Sequence, residues 1–136
     1  MNVLVRSLGT LVLVALLAGS TVCSHDNVIG PENQLLLSNV ADNFQFKVSS
    51  LANVTQSFGY NWINTGDSAS ISNASNLIGG TASLTVTGPT GSVLYHSDLT
   101  ANGAFPSMKG TAGTWNIRFD FSKLDGNVTI QILKAP

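Results

Sequence analysis

The chain of 136 residues holds a single cysteine, Cys23, and two histidines, His25 and His96. One cysteine cannot form an internal disulfide, so whatever folds here stands on an apolar core. Two histidines and one thiol give only the bare minimum of the three or four convergent ligands a zinc site needs. Charge is equally scarce, at 10% of residues. Past residue 22 five basic side chains (Lys47, Lys109, Arg118, Lys123, Lys134) face seven acidic ones, a net of −2. That leaves no basic stripe to neutralise a phosphate backbone, and a nucleic-acid partner is not expected. No polybasic cluster suited to anionic lipid is present either. Nucleophile elbows of the G-x-S-x-G kind are missing. Ile78-Gly-Gly80 lacks the helix and lysine of a phosphate loop and predicts a turn. No internal repeat is visible, and no amphipathic helix follows the first two dozen residues.

What is present begins with an export segment. Arg6 precedes the apolar run Leu8-Gly-Thr-Leu-Val-Leu-Val-Ala-Leu-Leu-Ala18, and the small residues Ala18-Gly19-Ser20 follow. This is the order of a signal peptide, and the run is shorter than the ~20 residues of a membrane-spanning helix. Beyond Cys23 the chain turns polar at once, with Ser24-His25-Asp26-Asn27. The arrangement resembles a bacterial lipoprotein signal, in which Cys23 would become the acylated first residue of the mature chain. The lipoprotein pattern has an aliphatic residue at −3 and a small one at −1; Ser20 and Val22 stand there. Cleavage after Ser20 or Ser24 would instead release a soluble exported protein. Expectations follow for residues 1–22 (signal peptide, helical), 23–41 (tether and first strand) and 42–136 (the domain). The protein is expected to be exported, as an outer-membrane or cell-surface lipoprotein held to the membrane by lipid on Cys23, otherwise periplasmic or secreted.

The domain itself alternates with period two, the pattern of half-buried strands. Leu35-Leu-Leu37 follows the turn signal Gly30-Pro-Glu-Asn33. Phe44, Phe46 and Val48 share one face of a strand. Val54, Gln56, Phe58, Tyr60 and Trp62 share one face of the next. Ala69 and Ile71, then Ala82, Leu84 and Val86, continue the pattern. Thr87-Gly-Pro-Thr-Gly91 predicts a turn leading into Ser92-Val-Leu-Tyr-His96. Trp115, Ile117 and Phe119 point inward from another strand, Leu124-Asp-Gly-Asn127 predicts a tight turn, and Val128, Ile130 and Ile132 form the last strand. Such a series predicts an all-β fold: an antiparallel β-sandwich of jelly-roll or immunoglobulin-like type with about eight strands.

Three stretches carry a further likeness. Asp42-Asn-Phe-Gln-Phe46 opens the domain, Leu84-Thr-Val-Thr-Gly-Pro-Thr-Gly-Ser-Val-Leu94 forms a hairpin, and Gly113-Thr-Trp-Asn-Ile-Arg118 comes late. Over residues 42–133 this order resembles the bacterial pre-peptidase C-terminal domains and related jelly-roll modules. It is also similar to small bacterial lipoproteins that consist of little else. The resemblance implies an accessory module; relatives stand beside proteases, and some bind calcium or polymeric substrate. No protease accompanies the module in this chain, so that role does not follow.

Candidate sites are few. Asp98, Asp120, Asp125 and Asn127 offer oxygen ligands without the D-x-D-x-D spacing of a calcium loop, and no metal or cofactor is expected. A Ser-His-Asp triad would have to use His96. Tyr60, Trp62 and Trp115 follow the inward register, with Trp62 the one to watch, near a strand end between Asn61 and Asn64. Trp62, Asn61 and Asn64 are therefore the candidate ligand-binding residues for a sugar-stacking site. Three Asn-x-Ser/Thr matches, at Asn53, Asn73 and Asn127, are what a chain rich in these residues produces by chance. The expectation overall is a non-enzymatic envelope module that binds a protein or glycan, or plays a structural part. The alternative is a carbohydrate-binding module using exposed aromatics.

Overall fold

The computed structural model describes residues 27–136. The signal peptide, Cys23 and His25 lie outside the described residues. Within them the chain is all β, with seven antiparallel strands: β1 (Leu36–Val40), β2 (Asn43–Asn64), β3 (Ala69–Asn73), β4 (Asn76–Thr87), β5 (Val93–Asp98), β6 (Gly103–Pro106) and β7 (Gly113–Lys134). A short 3₁₀ turn, Pro31–Asn33, precedes β1.

Two strands of 22 residues organise everything else. At ~3.3 Å per residue, Phe46 and Phe58 of β2 would stand about 40 Å apart on a straight strand. Their rings are 5.5 Å apart. β2 therefore folds back on itself, and so does its partner β7. The bends fall where the register slips, between Val48 and Gln56 of β2. Ser50 (φ 54°), Asn53 (φ 50°), Lys123 (φ 48°) and Gly126 (φ 125°) all hold left-handed backbone there. Bulges of this kind bend a strand and increase its twist.

The result is two packed layers that share their long strands. The first layer runs β1, β2 (43–48), β7 (128–134), β3, β6. The second runs β2 (56–64), β7 (113–121), β4 (81–87), β5. Their inner faces meet through aromatic rings: Phe46 on Phe119 at 4.4 Å and Phe44 on Tyr60 at 5.6 Å. Phe44, Phe46, Val48, Leu84, Ile117 and Ile132 are completely buried. The expected β-sandwich is the observed fold, and the inward-facing residues are those that alternation selects.

The strand count differs because the two long strands each merge two expected ones, 44–49 with 54–63 and 114–120 with 128–132, while β6 adds one that alternation did not reveal. Leu124-Asp-Gly-Asn127 was expected to be a turn between two strands; it is a bend inside β7. Ile78-Gly-Gly80, expected as a turn, is likewise a bend inside β4, which pairs with β7 on both sides of the corner. Turn-forming residues serve both purposes, because both need left-handed backbone. At Gly126 and Gly80 a Cβ would stand 2.1 Å from the carbonyl oxygens of Asn76 and Lys123. Only glycine permits those strands to approach so closely.

The corner is held by side chains. Asp125 Oδ1 accepts the Asn53 N–H at 2.8 Å, Asn127 Oδ1 accepts the Ser50 N–H at 2.9 Å, and Thr55 Oγ1 accepts the Lys123 N–H at 2.9 Å. The segment before β1 is also fastened. Asn27 exchanges backbone bonds with Asn53 and Thr55, and buried Asn33 donates to the carbonyls of Ser49 and Ser50. The described part of the 23–41 segment is thus built into the sandwich.

Candidate binding face

Outward residues of the four-stranded layer form rows set by register. One row is Ser57, Asp120, Ser83, Asp98; the next is Gly59, Arg118, Thr85, His96; a third begins Asn61, Asn116, Thr87. Small and polar side chains, with the carboxylates of Asp98 and Asp120, surround one arginine. Gly59 leaves a gap in its row, and a hollow of about 370 Å³ opens there, lined by Ser57, Phe58, Gly59, Asn116 and Arg118.

Arg118 grips Asp120. Its Nε lies 3.1 Å from both carboxylate oxygens and its Nη2 3.0 Å from Oδ1, while Ser57 Oγ donates to Oδ1 at 2.5 Å. The guanidinium, then the Ser57 hydroxyl, hold the Asp120 carboxyl below the usual carboxylate range, and the carboxylate raises Arg118 in return. A guanidinium has five N–H donors, so donors remain beyond those that Asp120 takes. Asn116 Nδ2 meets Asn61 Oδ1 at 3.3 Å, and Thr85 Oγ1 lies 2.8 Å from His96 Nδ1. What the face can do chemically is accept and donate hydrogen bonds around one fixed cation.

A triad does not assemble on His96. Its neighbour is the Thr85 hydroxyl, and among the described residues no hydrogen bond or ion pair joins it to a carboxylate. The possible calcium ligands are dispersed into structural bonds. Asp98 accepts from the backbone and hydroxyl of Thr100, Asp120 from Arg118 and Ser57, and Asp125 and Asn127 from the corner of β2. The Thr100 hydroxyl, then its N–H, lower the Asp98 carboxyl. Among the described residues no group of three or more His, Cys, Asp or Glu side chains could hold a metal ion.

The trio Trp62, Asn61 and Asn64 is split by the pleat. Trp62 is completely buried, edge-on to Trp115 at 5.9 Å and 89°, and its indole N–H donates to the Val40 carbonyl at 3.0 Å. Trp115 is equally buried, its N–H bound to the Thr111 carbonyl at 2.8 Å. Asn64, also completely buried, donates to Ser68 O and accepts from Gly66 N, closing the turn into β3. Only Asn61 reaches solvent. A sugar therefore has no indole face to stack on at this strand end, since the pleat turns Trp62 inward against Trp115. Tyr60 is half-buried, and burial raises its hydroxyl pKa.

Gly59 and Arg118 were not singled out from the sequence. The available signal was a glycine at an outward position of an aromatic strand, where it marks a gap or a close approach. No protein family model matches this chain, and no curated protein matches it in sequence.

Proposed function

We propose that this protein is a non-enzymatic, exported module of the bacterial cell envelope, anchored by lipid on Cys23, whose β-sandwich engages a glycan or protein through the outer face of its four-stranded layer. The observation that carries this reading is the hollow at Gly59, lined also by Ser57, Phe58, Asn116 and Arg118. A planar guanidinium with donors to spare suits carboxylate or hydroxyl acceptors. Surrounding amides and hydroxyls suit a hydroxyl-rich or main-chain ligand without the need for charge steering. The signal-like segment before Cys23 supports the location.

Titration calorimetry of the purified protein with soluble envelope polysaccharides and peptidoglycan fragments tests the binding, with Arg118→Ala alongside. Loss of an Arg contact to a charged acceptor should weaken binding about tenfold or more. Heats unchanged by Arg118→Ala would remove this face from the reading. Turnover of ester, peptide or glycoside substrates would overturn its non-enzymatic part. Intact mass of the protein from its host tests the anchor: acyl mass on Cys23 is expected, and an unmodified chain beginning at Thr21 or His25 would overturn it.

A further inference from the structure

The two layers have four outer edges, and three are guarded. β6 is four residues long and ends in Pro106, which has no N–H to offer. β5 carries His96 and Asp98, and Met108 N–H binds the Leu94 carbonyl. The edge of β2 is covered at both ends, by Asn27 on Asn53 and Thr55, and by Asn39 and Asp42 on the carbonyls of Asn61 and Ile63. Proline, charge and covering segments are the usual ways an edge is kept from pairing with another chain.

Among the described residues β1 has none of these. Among them it pairs only with β2. Leu36-Leu-Ser-Asn-Val40 bears no charge and no proline, and Leu35, Leu36, Leu37 and Val40 are 46%, 58%, 39% and 56% exposed. Val40 and Asn43 flank a two-residue loop and face each other as a hydrogen-bonded pair. By alternation Leu37 and Asn39 then turn their N–H and C=O groups to the open side.

We infer that β1 is a self-association surface, pairing antiparallel with β1 of a second copy about a two-fold axis through Ser38. The strand is self-complementary in that register. Ser38 meets Ser38 of the other copy, Leu36 meets Val40, and Leu37 meets Asn39 through four backbone hydrogen bonds. Both Leu36–Val40 contacts fall on the outer face, so two exposed apolar pairs are covered at once. No like charges oppose it. Lys47 stands beside Leu36 on the far side of β1 from the joint, and Asp42, two residues beyond Val40, is held by Thr65 and Lys134 of its own copy. The two five-stranded layers become one continuous ten-stranded sheet. A five-residue edge buries less than the ~1,200 Å² of a standard interface, so the dimer is reversible, with Kd on the order of micromolar.

Analytical ultracentrifugation of the full chain carrying Cys23→Ser, from about 1 to 300 μM, should show a monomer–dimer equilibrium. Leu36→Lys with Val40→Lys should raise Kd at least tenfold, while buried-tryptophan emission and circular dichroism stay those of the parent. Two cysteine variants in the same background fix the register. Ser38→Cys should give a covalent dimer under mild oxidation, and Leu36→Cys should not, being displaced from its own copy by four residues. A chain that stays monomeric to 300 μM overturns the inference. So does a folded double-lysine variant that dimerises as before, or cross-linking at 36 in place of 38.

Discussion

Two neighbouring pairs on the same two strands behave as opposites. Trp62 lies across from Trp115, and Asn61 across from Asn116. The backbone is continuous and the distance along it is one residue. Yet the tryptophans are completely buried, with both indole N–H groups satisfied, while the asparagines share one 3.3 Å contact in water. The pleat alone decides this, since successive side chains leave opposite faces of a sheet. The lesson concerns sites: an aromatic near asparagines resembles a sugar platform along the chain, but in a strand its immediate neighbours, here Asn61 and Ile63, belong to the other face, and Asn64 on its own face is buried with it.

The largest effect expected from breaking this contrast is on the inner side. Trp115→Ala should cost about 3–5 kcal/mol through lost burial and a cavity beside Trp62, measured by urea unfolding. Gly126→Ala comes next. Its φ of 125° and the Asn76 carbonyl 2.1 Å from the would-be Cβ give strain on the order of 1–3 kcal/mol or more, with a matching fall in urea midpoint. Asn127→Ala should cost about 0.5–1.5 kcal/mol by removing the side-chain acceptor of the solvent-exposed Ser50 N–H at the bend.

Acid should act on surface carboxyls, on the polar face and in the loops, without touching the core. Asp42, Asp67, Asp98 and Asp120 all titrate below the usual carboxylate range, held chiefly by the Thr65 backbone, Lys109, Thr100 and Arg118 respectively. A carboxyl with a lowered folded-state pKa contributes stability that is complete above its unfolded value, near ~3.9. That stability is lost as pH falls through the folded value. Thermal midpoints should therefore be flat from pH 7 to 5 and decline below about pH 4. Asp120→Asn should make that decline shallower. The smallest effect belongs to Asn116→Ala, within about 0.5 kcal/mol by the same unfolding assay. A large loss there would mean the outer amide pair contributes to the fold as the inner indole pair does.

Much of this fold was legible because alternation is a local property. Phe44, Phe46, Leu84, Trp115 and Ile117 announce their face by their neighbours two residues away. The corner was misread for an equally physical reason. Asp125-Gly126 has the chemistry of a turn, and left-handed backbone at a bulge requires the same residues as left-handed backbone in a hairpin. Whether the chain reverses or merely bends depends on what lies across from it, here Ser50, Asn53 and Asn76. The short strand Gly103–Pro106 had no alternation to reveal it and exists because β3 offers it an edge. The hollow at Gly59 was hidden likewise, since a missing side chain becomes a site only when Arg118 and Asn116 are brought beside it.

The sequence by itself determined the class of fold, the set of inward-facing residues and the absence of a disulfide framework, because composition and period-two patterning constrain burial without reference to distant partners. Tertiary structure alone decided that two strands would each serve both layers, that Asp98, Asp120, Asp125 and Asn127 would be dispersed into separate structural bonds, that Trp62 would turn away from solvent, and that β1 would be the edge left uncovered among the described residues. Those outcomes depend on contacts between residues dozens of positions apart, which no local pattern encodes.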